Sequence, residues 1–132
     1  MSSNIPTNAL VVVADGGKAI LFRNTGKGLQ ITLREEQRLG HAEIAQGPSG
    51  SRPEDQSPKE TDEATFAKGV AQTLEAMHGK GQFEALVLVA DPQTLGQLRD
   101  ALHKTVANSV THSLPKDLTN HGTAEIEAAL SK

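Results

Sequence analysis

The chain contains no cysteine, tryptophan or tyrosine, and three phenylalanines are its only aromatics. Without cysteine there is no disulfide, no thiolate metal site and no thiol nucleophile, a composition that fits a reducing compartment. The scarcity of aromatics argues against a platform that stacks single-stranded bases. Long apolar runs are also missing. The longest, the six-residue runs at 9–14 and 85–90, are far shorter than the roughly 20 residues that span a bilayer. The opening residues, MSSNIPTN, are polar and lack the charged start and apolar centre of a secretion signal. A cytoplasmic location with no membrane partner is expected. Nor does one sign of charge dominate. The formal net charge is −3, so the chain as a whole does not match nucleic acid or an anionic membrane, although a local basic patch stays open, and no DNA partner is expected.

What is present is enough for one domain with one core over residues 1–132 and too little for two. Two apolar runs each end in Ala-Asp: ALVVVADGG at residues 9–17 and ALVLVADPQ at residues 85–93. The first reads as a buried strand followed by a hairpin turn at Asp15-Gly16-Gly17. KAILFRN follows as a second strand, and Asn24-Thr25-Gly26-Lys27-Gly28 as another turn. LQITLRE then alternates, with Leu29, Ile31 and Leu33 on one face, and reads as a third strand at an edge or with one wet face. Residues 40–60 hold three glycines and three prolines among few apolar residues and read as a long mobile loop, functional or disordered.

Ser57-Pro58-Lys59-Glu60 has the form of a capping box with proline at the first helical position. Phe66, Val70, Leu74 and Met77 then recur on one helical face, and Gly79 and Gly81 stop the helix. FEALVLVAD is the fourth strand. Asp91-Pro92 opens a helix with Leu95, Leu98 and Leu102 inward, SVTHSL is a weaker fifth strand closed by Pro115, and Thr123 starts a last helix carrying Ile126 and Leu130. The order β-β-β-α-β-α-β-α needs parallel pairing across its helical crossovers. The two unbroken apolar strands are then most simply central neighbours, giving the spatial order 3-2-1-4-5. This α/β, five-stranded mixed sheet is the ribonuclease-H-like layout. The likeness of the two runs then reflects equal burial rather than duplication, because a hairpin follows one and a helix the other.

Three segments carry a narrower resemblance: ALVVVADGGKAILFRN, FEALVLVADPQTLGQLRDAL and LPKDLTNHGTAEIEAAL, with Leu114–Leu118 the most specific part. They resemble the bacterial host-attachment protein family, described as required for attachment to host cells. That family resembles, at a distance, the middle domain of archaeal and eukaryotic release factors. Those relatives carry a Gly-Gly-Gln loop before the long helix, and it promotes peptidyl-tRNA hydrolysis. The loop 40–60 stands in that place without Gly-Gly-Gln, and Gly79-Lys80-Gly81-Gln82 lies after the helix, where glycines serve as a cap. No peptidyl-tRNA hydrolysis is therefore expected.

Two readings of the repeated Ala-Asp compete. Nucleases of the ribonuclease-H type place metal-binding acids on these two strands and another on the first helix. Asp15 and Asp91 with Glu63 or Glu60, and Glu125 as a fourth, would then form a two-metal site. In the structural reading Asp15 shapes a turn, and Asp91 caps the helix at Pro92, worth about 1 kcal/mol. The structural reading is preferred, so no catalytic residue, metal or cofactor is expected. His41, His78, His103, His112 and His121 show no zinc-ligand spacing. No nucleophile elbow, Walker loop or dinucleotide fingerprint occurs. What remains is binding, to a ribosome-linked or RNA partner. The candidate residues are Gly47, Ser49, Gly50 and Arg52 of the loop and Lys116 and Asp117 at a sheet edge. Lys116, Lys104 and Arg99 form a candidate basic patch. The sequence leaves the oligomeric state open, and the remaining alternative is a factor in attachment to host cells.

Overall fold

The computed structural model describes residues 5–26, 31–40 and 58–130, and within the first helix the side chains from residue 66 onward. Its strands are β1 (Leu10–Ala14), β2 (Lys18–Asn24), β3 (Leu33–Gly40), β4 (Leu86–Ala90) and β5 (Val110–Leu114). Its helices are α1 (Pro58–Gly79), α2 (Pro92–Ala101), α3 (Lys104–Ala107) and α4 (Thr123–Leu130). The strands form one mixed sheet in the order β3-β2-β1-β4-β5, as the crossover argument requires. β1 is antiparallel to β2 and parallel to β4, and β4 is parallel to β5.

Burial follows from that order. β1 and β4 lie in the middle of the sheet with both faces covered, so every residue of each is buried, and valine and leucine suit that setting. The two-residue period sends alternate side chains to opposite faces. Leu10, Val12, Leu86 and Leu88 pack under α1, α2 and α3 with Phe66, Val70, Leu74 and Leu98. Val11, Val13, Val87 and Val89 pack on the other face with Ile126 and Leu130 of α4 and with Ile5, Ile31 and Leu118. Each such side chain, fully buried, contributes about 1.5–3 kcal/mol relative to exposure.

The helix boundaries have local causes. α1 starts at Pro58 as expected, while Ser57 of the capping box lies outside the described residues. At its other end Gly81 has φ +72°, Gly81 N–H donates to His78 O and Gln82 N–H to Met77 O. This paired closure needs a left-handed residue, which glycine supplies without strain. α2 begins after Asp91, whose Oδ2 accepts from Thr94 N–H at 3.1 Å. No expectation covered α3, one turn capped by the His103 ring at 3.3 Å from Thr105 N.

One strand differs from expectation. The alternation at residues 29–35 predicts a strand; residues 29 and 30 lie outside the described residues, 31 and 32 are not in a strand, and β3 runs from Leu33 to Gly40. Asn24 Oδ1 takes the Thr32 N–H, so the regular ladder with β2 starts only at Leu33. The register then shifts between Leu21 and Phe22, leaving Glu36 as the extra residue of a bulge. A bulge reverses which face the following residues point to. Leu33 therefore joins one core cluster and Leu39 the other. Residues 34–38 between them are exposed and polar, so no apolar period marks the strand.

Candidate functional site

β1 and β4 end level, with Ala14 opposite Ala90, so Asp15 and Asp91 leave the sheet at the same edge. Ligands of open α/β sheets favour that edge. Both acids are nonetheless engaged locally. Asp91 holds the start of α2 through Thr94. Asp15 Oδ1 accepts from Gly17 N–H at 2.8 Å and Lys18 N–H at 2.9 Å, which shapes the β1–β2 turn. Asp15 Oδ2 faces the hydroxyl of Thr119 at 3.1 Å.

That hydroxyl belongs to a second group at the same edge, built by the segment after β5. Asp117 Oδ1 accepts from Thr119 N–H at 3.0 Å, an Asx turn, and lies 2.6 Å from Thr119 Oγ1. Thr119 is buried, and its single hydroxyl proton is shared between Asp117 and Asp15. Lys18 Nζ donates to Asn120 Oδ1 at 3.2 Å, joining the β1–β2 turn to the same segment. The Thr119 hydroxyl and backbone N–H hold the Asp117 carboxyl below its ordinary value, helped by the charges of Lys18 and His121. Glu125 is likewise lowered, by the His121 ring at 2.9 Å and by Gly122 N–H. A general acid at neutral pH needs its carboxyl shifted upward instead. These acids are held as anions in a hydrogen-bonded frame.

Of the sequence candidates, the fold therefore brings Asp15 and Asp117 together through Thr119, with Lys116 exposed beside them. Asp91 shares the edge but serves its helix, and Glu125 serves His121 and Gly122. Among the described residues no three His, Asp or Glu side chains are grouped to hold a metal ion. Gly47, Ser49, Gly50 and Arg52, and the side chains of Glu60 and Glu63, lie outside the described residues, as does most of the loop 40–60. Lys18, Thr119 and Asn120 were missed by sequence reasoning. Asp-x-Thr at 117–119 is an Asx-turn signal that would have found Thr119; nothing local marks its bond to Asp15.

At the opposite end of the strands a groove of about 790 Å3 runs past Asn8, Arg23, Arg34, Glu36 and Gln82. Arg23 is not available to a ligand there. It forks onto Glu36 at 3.2 and 3.3 Å, and its Nη1 donates to Asn8 O and Gln82 O. It ties the segment before β1 and the α1–β4 connection to β2.

A family model matches residues 8–130, nearly the whole chain and all five strands. The chain belongs to bacterial archaeo-eukaryotic release factor family 12. This match carries the release-factor side of the resemblance and not the host-attachment side. No curated protein matches the chain. As a family 12 release-factor-like domain, it has the Asp15–Thr119–Asp117 frame at the strand ends and no Gly-Gly-Gln in its sequence. No helix among the described residues is long and apolar enough to cross a membrane.

Proposed function

We propose that this family 12 domain acts in translation by binding a ribosome-linked or RNA partner, without catalysing a reaction. The observation that carries the reading is the family match over residues 8–130. The geometry of the sheet edge supports binding over chemistry, because Asp15 and Asp91 both spend carboxylate oxygens on local backbone N–H groups. The proposed contact surface joins Lys116 and Asp117 to Gly47, Ser49, Gly50 and Arg52 of the loop. Lys116 is exposed and supplies a cation beside the ordered Asp15–Thr119–Asp117 frame. A cytoplasmic location belongs to the same proposal. A role in attachment to host cells rests on the resemblance of the three quoted segments alone.

Co-sedimentation with purified ribosomes tests this. The chain is expected in the ribosome pellet at low salt and to leave it as salt rises, with Arg52→Glu and Lys116→Glu each weakening the association. Absence from the pellet at low salt overturns the reading. A parallel incubation with an RNA–DNA hybrid and Mn²⁺ guards the other side. Cleavage lost in a folded Asp91→Asn variant would establish a metal nuclease using Asp15, Asp91 and Glu63.

A further inference from the structure

The two faces of the sheet are held in different ways. Over one lie α1, of 22 residues, and α2 and α3. Over the other, among the described residues, lies the segment from Pro115 to the end of α4, with Ile5 and Ile31 beside it. It reaches the sheet through Leu118, Ile126 and Leu130, and α4 itself has eight residues.

Backbone bonding sets this segment apart. Lys116 N–H donates to Leu114 O, His121 N–H to Leu118 O, and the N–H groups of Glu125 and Ile126 to Gly122 O. Among the described residues no backbone–backbone bond joins residues 115–130 to β1, β2 or β4. Three side-chain ties fasten the segment instead: Thr119 Oγ1 with Asp15 Oδ2, Lys18 Nζ with Asn120 Oδ1, and Leu33 N–H with Glu127 Oε2 at 2.7 Å. The first two are weak grips. Thr119 has one hydroxyl proton to give. Asp117, inside the segment at 2.6 Å, competes for it with Asp15 at 3.1 Å. When the segment lifts, Thr119 keeps Asp117, and Asp15 keeps the N–H groups of Gly17 and Lys18. The Lys18–Asn120 bond is exposed, so water replaces it at little cost. The Leu33–Glu127 bond is short and accepted by a carboxylate, which makes it the strongest of the three. Little polar bonding opposes lifting, and the main restraint is the burial of three apolar side chains. Regions held by few buried apolar contacts open well below global unfolding.

We infer that residues 115–130 are a latched cover that lifts off the sheet as one unit, hinged at Pro115, while the sheet and α1–α3 stay folded. The face it leaves, around Val11, Val13, Val87 and Val89, then takes an amphipathic helix of another protein with the same Ile-Glu-x-x-Leu spacing. The occupant is argued from α4 itself. Ile126 and Leu130, four residues apart, pack on that face, and Glu127 beside them reaches Leu33 N–H. Anchors at this spacing are how a helix docks in an apolar groove. A tethered cover competes at an effective concentration of order millimolar, so the partner helix must bind the face better than α4 does. The inference goes beyond the translation reading and does not require it.

Hydrogen exchange in the full chain, followed by NMR, reads the opening. The amides of Thr119, His121 and Glu125 to Leu130 are expected to share one opening, at least about a hundredfold more frequent than that of β1 and β4. Glu127→Gln, which replaces a charged acceptor by a neutral one, is expected to raise that opening about fivefold and to leave β1 and β4 unchanged. The probe for the face is a labelled peptide of residues 115–130, added to the full chain. At millimolar concentration it is expected to displace the cover and to shift the methyl signals of Val11, Val13, Val87 and Val89. It is expected to bind the Glu127→Gln chain about fivefold more tightly, and the same peptide carrying Ile126→Asp is expected not to bind. A single protection shared by α4 and the central strands overturns the inference, because the segment would then leave only on global unfolding. Exchange graded along α4 with no common opening overturns it too. So does the absence of peptide binding at millimolar concentration, or equal binding of the Ile126→Asp peptide. The wild-type measurements decide the matter even where the variant fails to fold. Ribosome co-sedimentation separates the two proposals: peptide exchange in a chain that does not pellet leaves the inference standing alone, and the reverse leaves only the translation reading.

Discussion

Replacing Asn24 by alanine removes a buried polar side chain that makes four hydrogen bonds. Asn24 is 1% exposed. Its Nδ2 donates to Ile5 O at 3.2 Å and Pro6 O at 3.0 Å, and its Oδ1 accepts from Gly26 N–H at 3.0 Å and Thr32 N–H at 3.1 Å. An amide side chain has two donor hydrogens and two acceptor lone pairs, so all four are used. The bonds to Ile5 O and Gly26 N are buried, and water cannot easily replace them. A buried polar group left without a partner costs about 1–3 kcal/mol. Two such groups give Asn24→Ala a cost of about 2–6 kcal/mol, a large share of the roughly 5–15 kcal/mol that holds a domain together. Urea denaturation followed by circular dichroism reads this directly. With a slope of about 2 kcal/mol/M, the midpoint should fall by roughly 1–3 M. Asn24→Asp gives a second, independent reading. It keeps the two accepting bonds but aims a carboxylate oxygen at the Ile5 and Pro6 carbonyls, which favours the protonated form. The folded-state pKa of that carboxyl then lies above the unfolded value of about 3.9, so the variant loses stability as pH rises from about 4 through the raised value. A cost below about 0.5 kcal/mol for Asn24→Ala would refute the reasoning, since a lost solvent-exposed contact costs no more than that.

Three further outcomes follow from the same geometry. Val87, fully buried opposite Val11, cannot accept a charge without a partner, so Val87→Asp should abolish the cooperative thermal transition; a folded variant would contradict the packing between β1 and β4. Asp91→Ala should cost about 0.5–2 kcal/mol in urea denaturation while Asp91→Asn costs little, and equal losses would show that Asp91 does more than cap α2. The Asp117 carboxyl is lowered in the folded state, chiefly by the Thr119 hydroxyl, so the stability it adds is fully present above the unfolded value of about 3.9 and is lost as pH falls through the folded one. The difference between wild type and Asp117→Asn should accordingly be visible at pH 6 and shrink in acid, and a difference independent of pH would remove the carboxylate from the account.

Most of the fold was legible because its determinants are local. Unbroken apolar runs marked β1 and β4, the Phe66–Val70–Leu74 spacing marked α1, and Asp91-Pro92 marked the start of α2. The element order with right-handed crossovers then left one simple strand order, which is the one observed. β3 escaped because an edge strand over residues 34–38 has no buried face to impose a period, and because the bulge at Glu36 changes the register without any sequence mark. The candidate site divides along the same line. The turn role of Asp15 and the capping role of Asp91 depend on residues two or three positions away and could be read from the chain. Asp15 meets Thr119 across 104 residues, Arg23 meets Gln82 across 59, and Asn24 ties together three segments that propensity treats separately. Short-range pattern and turn chemistry are properties of the sequence itself. Which polar groups are brought face to face, and which strands end at the sheet's edges, is decided by packing, because only the folded sheet fixes those distances.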